Sequence, residues 1–473
     1  MVGRRSESET LWRARDAEES QFIAIYGRRR VGKTYLVRKA FDGEFAFYHT
    51  GIANVGKQEQ ISRFVKSLEK YGIKTRPKPK DWFAAFDLLA DGLAAMPSGR
   101  KVVFIDELPW MDTARSNFVS ALENFWNGWA SAREDIVLIV CGSASSWILS
   151  KIINNHGGLH NWLTDRIHLK PFSLHECREL AEERGLILPL RQLFEANMIF
   201  GGVPYYWTLL RRDTGLAQNI DRLCFSDGGA LTTEFDQLYA SLFRKPADHI
   251  AVVTALGKKK VGMTREELIR ECGMTDSGAL TKVLDELSVC GFIRKYRVPG
   301  CKKKGAVYQL VDNFTLFYFR FMQDAEGVPS DFWSTSYMKQ SVRIWCGLSF
   351  ERVCLENLSA IKKALGISGV RTSVYAWSSA ASGKTGAEGA QIDLVIDRDD
   401  GVVNLCEIKY LSDDYEIDES EASALERRRT LFMRETGTNK AVHLTIISFS
   451  KVKKSVYAGV VQSIVTAEEL LLA

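Results

Sequence analysis

The chain has 473 residues, 46% of them hydrophobic, nine cysteines and a formal net charge of +5. That length exceeds what one hydrophobic core usually serves, so roughly three or four units are expected. The cysteines scatter without a C-x-x-C pair, so neither a zinc site nor a disulfide framework is suggested; with no bilayer-length apolar run and no apolar leader after Met1, a soluble cytoplasmic chain without membrane partners is expected.

In chain order, the apolar run Phe22-Ile23-Ala24-Ile25-Tyr26 leads into Gly27-Arg28-Arg29-Arg30-Val31-Gly32-Lys33-Thr34, which fits G-x-x-x-x-G-K-[ST]. The pattern predicts a strand, a phosphate-binding loop and a helix that continues through Tyr35 and Leu36. Backbone N–H groups would curl around a phosphate, Lys33 would reach its outer oxygens, and Thr34 would offer a hydroxyl to Mg²⁺. Residues 27–35 are therefore the candidate nucleotide-binding set, with ATP as the expected ligand. A second Gly-Lys-Thr at 383–385 has Ser378 where the upstream glycine belongs and no strand before it, so it is set aside.

The run Lys101-Val102-Val103-Phe104-Ile105-Asp106-Glu107 reads as a buried strand ending in two carboxylates. Asp106 would hold Mg²⁺ through water, and Glu107 would polarise the water that attacks the γ-phosphate. A third apolar strand, 136–141, ends at Gly142-Ser143, where Ser143 either senses the γ-phosphate or serves as a turn residue. Three such strands separated by helical segments describe a parallel α/β sheet with its ligand at the strand carboxyl ends.

Residues 166 to about 240 read as amphipathic helices. His156, His160 and His168 have no carboxylate at ligand spacing and are not taken as a metal set. From 241 to 311 the pattern is a winged helix. Thr264 with Glu267 forms a capping-box signature, and Leu280, Val283, Leu284 and Leu287 line one face of a second helix from Ser277. The strands 292–297 and 306–310 then flank a turn at Pro299-Gly300.

Residues 258–304 hold 12 Lys/Arg against 6 Asp/Glu, a net +6 compared with +5 for the whole chain. The surplus sits in Lys258, Lys259, Lys260 and the wing residues Arg294, Lys295, Arg297, Lys302, Lys303 and Lys304. It suits contact with DNA phosphates or a solvated charged loop. The would-be recognition helix presents Ser277, Thr281, Lys282, Asp285 and Glu286, a poor surface for reading bases. The aromatic segment 312–321 is expected to be buried as a connector. Phe350, Cys354, Leu358, Ile361 and Leu365 mark one side of a helix that carries Glu351, and strands 391–396 and 402–408 form a hairpin with Asp393 near Glu407. Glu407 and Lys409 share a strand face.

Several of these motifs together resemble the archaeal-type ATPases, prokaryotic proteins of the AAA-like signal-transduction P-loop class: Gly3-Arg4-Arg5-Ser6-Glu7, the loop Tyr26–Thr34, Asp106-Glu107-Leu108-Pro109-Trp110, Gly142-Ser143-Ala144, Pro171-Phe172-Ser173-Leu174 and Gly201-Gly202-Val203-Pro204-Tyr205-Tyr206. Gly347-Leu348-Ser349-Phe350-Glu351 and Gln391-Ile392-Asp393-Leu394-Val395-Ile396 resemble the restriction-endonuclease-like domain that many members carry. The resemblance implies an ATPase core over 1–165, a helical lid over 166–240, a winged helix over 241–311, and a connector with an α/β nuclease-like domain over 312–473. Relatives commonly place an arginine after Gly-Gly-Leu-x-Asn, where this chain has Trp162. Either Arg166, the 28–30 arginines or a neighbouring molecule then supplies the cation, or hydrolysis is slow, and Arg166 also reads as a surface salt-bridge residue.

Glu351, Asp393, Glu407 and Lys409 resemble the nuclease pattern, in which the three carboxylates gather Mg²⁺ or Mn²⁺ and the lysine orients or activates water. Solvated strand ends and a Glu407–Lys409 salt bridge are the plainer reading. Two functions follow. One is an ATP-controlled DNA-processing enzyme, and the other is an ATP-dependent switch or scaffold with an inactive nuclease fold that binds a protein or nucleic-acid partner.

Overall fold

The computed structural model describes residues 2–143, 145–154, 163–243, 245–297, 306–324, 327–337, 339–379 and 389–472. The chain divides into two compact units. The first comprises 1–171, 237–249 and 277–291, and the second comprises 172–236, 250–276 and 292–473.

The first unit opens with α1 (Arg5–Asp16), β1 (Gln21–Tyr26), α2 (Lys33–Ala40), β2 (Phe47–Thr50), α3 (Lys57–Lys70) and α4 (Trp82–Ala94). It continues through β3 (Lys101–Asp106), α5 (Phe118–Gly128), β4 (Ile136–Gly142), α6 (Ser145–Ile148) and β5 (Asp165–His168). The five strands are parallel in the order β2-β3-β4-β1-β5. Successive side chains of a strand face opposite ways, and the apolar runs sort accordingly. Phe22, Ala24, Val103, Ile105, Leu138 and Val140 pack with Phe64, Trp82 and Phe125. Ile23, Ile25, Val102, Phe104, Val137 and Ile139 pack with Leu11, Leu36 and Val37. Burial on both faces is why the three central strands read as continuous apolar runs. The edge strands β2 and β5 are short and half polar, and β5 carries the sheet beyond residue 165.

Helices follow as α7 (Leu174–Glu183), α8 (Leu190–Phe200), α9 (Pro204–Thr208), α10 (Leu216–Ile220), α11 (Glu234–Leu242) and α12 (Pro246–Gly257). Then come β6 (Met263–Thr264), α13 (Arg265–Cys272), α14 (Gly278–Val289), β7 (Ile293–Arg297) and β8 (Ala306–Leu310). Thr264 caps α13 with the expected box: Glu267 N–H donates to Thr264 Oγ1 at 3.2 Å and Thr264 N–H to Glu267 Oε2 at 2.8 Å. Leu280, Val283, Leu284 and Leu287 are all buried on α14. The antiparallel hairpin gains β6 as a third strand, in the order β6-β8-β7. Segment 241–311 is nevertheless shared, since α14 belongs to the first unit and the three-stranded sheet to the second. Pro299, Gly300 and Lys302 to Lys304 lie outside the described residues.

The second unit continues with α15 (Asn313–Phe317), α16 (Phe332–Ser336), α17 (Gln340–Glu356), α18 (Leu358–Ala364), β9 (Thr372–Ser379), β10 (Ala390–Arg398) and β11 (Val402–Lys409). It ends with α19 (Glu419–Thr436), β12 (Ala441–Ser448), β13 (Ser463–Thr466) and α20 (Ala467–Leu472). The sheet order is β13-β12-β11-β10-β9. Strands β9 to β11 run antiparallel, whereas β11 to β13 are parallel, with α19 supplying the crossover that a parallel pair needs. Two expectations change. The helix expected through Leu365 breaks at Asn357, whose side chain donates to Val353 O at 2.8 Å and ends α17. The aromatic segment is core, not connector: Phe317 lies 5.2 to 5.6 Å from the rings of Phe321, Trp333 and Trp345. No described helix is long and apolar enough to cross a membrane.

Candidate functional site

Strand β1 ends at Tyr26, and the chain turns through Gly27 at φ +152°, where a Cβ would lie 2.2 Å from Leu169 O. Only glycine tolerates that approach. Gly32 at φ +92° caps α2 without a side-chain acceptor, which leaves the first N–H groups of the helix directed at the loop's hollow. Lys33 is buried, and its Nζ donates to Gly27 O at 2.9 Å, Arg28 O at 3.0 Å and Ser143 Oγ at 3.4 Å. Arg28 is buried too, whereas Tyr35 is exposed.

Thr34 Oγ1 donates to Asp106 Oδ2 at 2.6 Å, which joins the start of α2 to the end of β3. Asp106 Oδ1 accepts the backbone N–H of Glu107 at 2.8 Å and also the Cys141 thiol. Burial, reinforced by Asp106, pushes that thiol well above its ordinary pKa, so it stays a protonated donor. Glu107 sits at φ +49°, a left-handed conformation that is costly for a side chain of this type. Its carboxylate accepts from Ser143 Oγ at 2.6 Å. Lys33, Glu107 and Ser143 are thereby joined at the carboxyl ends of β1, β3 and β4. Arg166 is exposed on β5, and Trp162 lies outside the described residues.

A second cluster forms in the other unit. Glu351 on α17 pairs with Lys260 at 2.7 Å. Glu407 on β11 pairs with Lys409 at 3.0 Å and with Arg428 of α19 at 2.7 Å. Lys409 also reaches Glu421 at 3.0 Å. Asp393 on β10 accepts weakly from Ile408 N–H at 3.4 Å. Burial first, then the charges of Glu351 and Glu407, raise its carboxyl to about 6. The three carboxylates thus feel one another, and internal cations compensate Glu351 and Glu407. Among the described residues no three His, Cys, Asp or Glu side chains are spaced to hold a metal ion.

The basic run is also occupied. Lys258 pairs with Glu271 at 2.8 Å and Lys259 with Glu267 at 2.6 Å, while Arg294 Nε donates to Gln309 Oε1 at 2.7 Å. Lys258 to Lys260 are therefore not a bare cationic patch.

Residues 19–178 match the model of the AAA domain family. With the parallel sheet and the phosphate loop, that match makes the segment an AAA-like P-loop ATPase domain. An uncharacterized protein of Methanocaldococcus jannaschii is 24% identical over 371 residues, 76% of this chain and 78% of that protein. A Walker-type ATPase of Pyrococcus abyssi is 15% identical with a TM-score of 0.48, covering 68% of this chain and 96% of that one. The ORC2 protein of Aeropyrum pernix, in its ADPNP-ADP complexes, is 15% identical with a TM-score of 0.45, covering 74% and 94%.

Several partners escape a reading of the sequence alone. Arg4, buried at the start of α1, donates to Lys170 O at 2.6 Å and Val31 O at 3.4 Å, and so braces the loop from behind. Cys141, Arg428 and Glu421 complete the polar networks around Asp106, Glu407 and Lys409. Only Arg4 carries a local signal, as a charged residue in the opening motif; the others are defined by tertiary neighbours.

Proposed function

We propose that the chain binds and hydrolyses Mg-ATP at the loop of residues 27–35. The observation that carries this is the 2.6 Å contact between Thr34 Oγ1 and Asp106 Oδ2, which brings a hydroxyl and a carboxylate together beside Lys33. Such hard oxygen donors suit a hydrated Mg²⁺, and Thr34 and Asp106 would hold it. Bound there, Mg²⁺ neutralises charge on the phosphate oxygens. The loop N–H groups and the helix start cradle the phosphates, and Lys33 pairs with their outer oxygens. Glu107 orients the attacking water and takes its proton, while Ser143 fixes the Glu107 carboxylate. The glutamate's carboxylate, held by Ser143, supports that role. Steady-state ATP turnover in Mg²⁺, lost in Glu107→Gln with nucleotide binding retained, tests the reading.

For the carboxyl-terminal unit the reading is a nuclease-like fold that the ATPase controls. Its support is the influence on Asp393 of β10 from Glu351 of α17 and Glu407 of β11, with Lys409 on the same strand face as Glu407. In this reading Glu351, Asp393 and Glu407, which are not spaced here to hold a metal ion, would have to exchange their ion pairs and draw together around Mg²⁺ or Mn²⁺, Lys409 would orient water, and the winged-helix segment would bring DNA through its wing. The alternative, a switch or scaffold with an inactive nuclease fold, draws on a specific observation: Lys260, Lys409 and Arg428 already compensate Glu351 and Glu407. Metal-dependent DNA cleavage that is abolished by Asp393→Ala separates the two.

A further inference from the structure

Glu286 on α14 and Cys290, which caps the carboxyl end of that helix in helical backbone geometry, are four residues apart, so their side chains leave the same side. Glu286 meets α6, where Ser146 Oγ donates to Glu286 Oε1 at 3.2 Å. Ser145 and Ser146 follow directly on the nucleotide site, since Ser145 N–H donates to Ser143 O at 2.9 Å. Ser143 in turn contacts Lys33 and Glu107. The field of Arg28 and Lys33 reaches the Cys290 thiol, which burial pushes up to about 12. Part of the α14 face expected to look outward is therefore turned onto the phosphate-site turn.

Glu286 is held from its other side as well. Its Oε2 lies 2.8 Å from His249 Nε2, and His249 Nδ1 lies 3.1 Å from Lys245 O. The His249 ring stacks on Phe243 at 3.8 Å, and Lys282 stands 3.9 Å from Glu286 Oε1. Burial pushes the Glu286 carboxyl up, but its bond to His249 and the charges of His249 and Lys282 outweigh this and hold it below the ordinary value.

We propose that Glu286 is a positioning residue of the nucleotide site: anchored by His249, it holds α6 and so sets the Ser143 hydroxyl against Glu107 and Lys33. The link rests on the ATPase reading above, and it is reciprocal. A γ-phosphate that shifts Ser143 shifts the grip of α6 on α14, and α14 biases the site in return.

The test is steady-state hydrolysis by the full chain. Glu286→Gln and Ser146→Ala should each lower kcat about tenfold with KM for ATP nearly unchanged, because they displace a group that acts after binding. Ser146→Thr keeps the hydroxyl and should retain parental kcat. The double variant Glu286→Gln/Ser146→Ala should be no slower than either single one, as expected for two residues in one contact. Parental kcat in both single variants, or losses that multiply, would overturn the link. If the parent binds ATP but does not turn it over, the hydrolysis reading fails by itself. The link is then decided by dissociation rates: Glu286→Gln must change release of ATP relative to ADP, and an unchanged ratio overturns it.

Discussion

The phosphate loop and the carboxyl-terminal carboxylate cluster assemble charge in opposite ways. In the loop, Lys33 and Thr34 are neighbours on one helix start, and the backbone of a single turn sets their positions; only Asp106, Glu107 and Ser143 come from other strands. In the cluster every acid comes from a different element: Glu351 from α17, Asp393 from β10 and Glu407 from β11. Two of the three meet cations supplied from elsewhere in the chain. A contiguous motif carries its geometry with it, whereas a dispersed one depends on packing and can be satisfied internally.

The widest gap between the two regions should appear on removing Lys33. Lys33→Ala takes away a buried ammonium held among the loop's own carbonyls, and nucleotide binding measured by calorimetry should vanish, with the carboxyl-terminal cluster untouched. Glu107→Gln should keep nucleotide affinity and cut turnover by about 100-fold or more, since the amide preserves shape but cannot take a proton. Equal turnover in that variant and the parent would remove Glu107 from the chemistry.

That contrast also explains how much can be read in advance. The central strands, the loop and the capping box at Thr264 are legible because burial on two faces, glycine geometry and cap chemistry are all written in consecutive residues. Strands β2 and β5 do not stand out, because edge positions let Tyr48, His49, Asp165 and Arg166 break the apolar run. The break at Asn357 is hidden because the apolar spacing of Phe350, Cys354 and Ile361 continues across it. The convergence of Asp393 with Glu407 can be anticipated from hairpin register, but the cations Lys260 and Arg428 cannot, since nothing local ties residue 260 to 351 or 428 to 407.

The cluster's own signature is a pH dependence. Asp393 has its carboxyl raised to about 6, by burial and then by Glu351 and Glu407, against about 3.9 in an unfolded chain. A raised acid favours the folded state fully below the lower value, and that contribution is lost as pH rises through the upper one. Stability of the second unit should therefore fall between about pH 4 and pH 6 by on the order of 2–3 kcal/mol, and Asp393→Asn should flatten that slope in denaturation midpoints. If Mn²⁺ is the natural counter-ion, adding it above pH 6 should restore what Asp393 loses. Arg428→Ala should have a smaller effect, about 1–2 kcal/mol, because it leaves Glu407 with Lys409 alone.

The smallest effect belongs to the basic segment 258–304. Lys258, Lys259 and Lys260 are committed to Glu271, Glu267 and Glu351, so a duplex would have to exchange existing ion pairs to use them, with little net release of counter-ions. Lys295 lies over the Tyr308 ring at 5.5 Å and is not ion-paired to a described carboxylate. If DNA is bound, neutralising Lys302, Lys303 and Lys304 together should lower affinity and flatten the dependence of log K on log salt by up to about 3, near 0.9 for each phosphate no longer neutralised. Neutralising Lys258 and Lys259 should change that slope far less. Equal losses from both sets would mean that the ion pairs open on DNA. Absence of duplex binding in fluorescence anisotropy even at low salt would remove DNA as the partner of this basic segment, because surplus cations free to release counter-ions would bind duplex phosphates under those conditions.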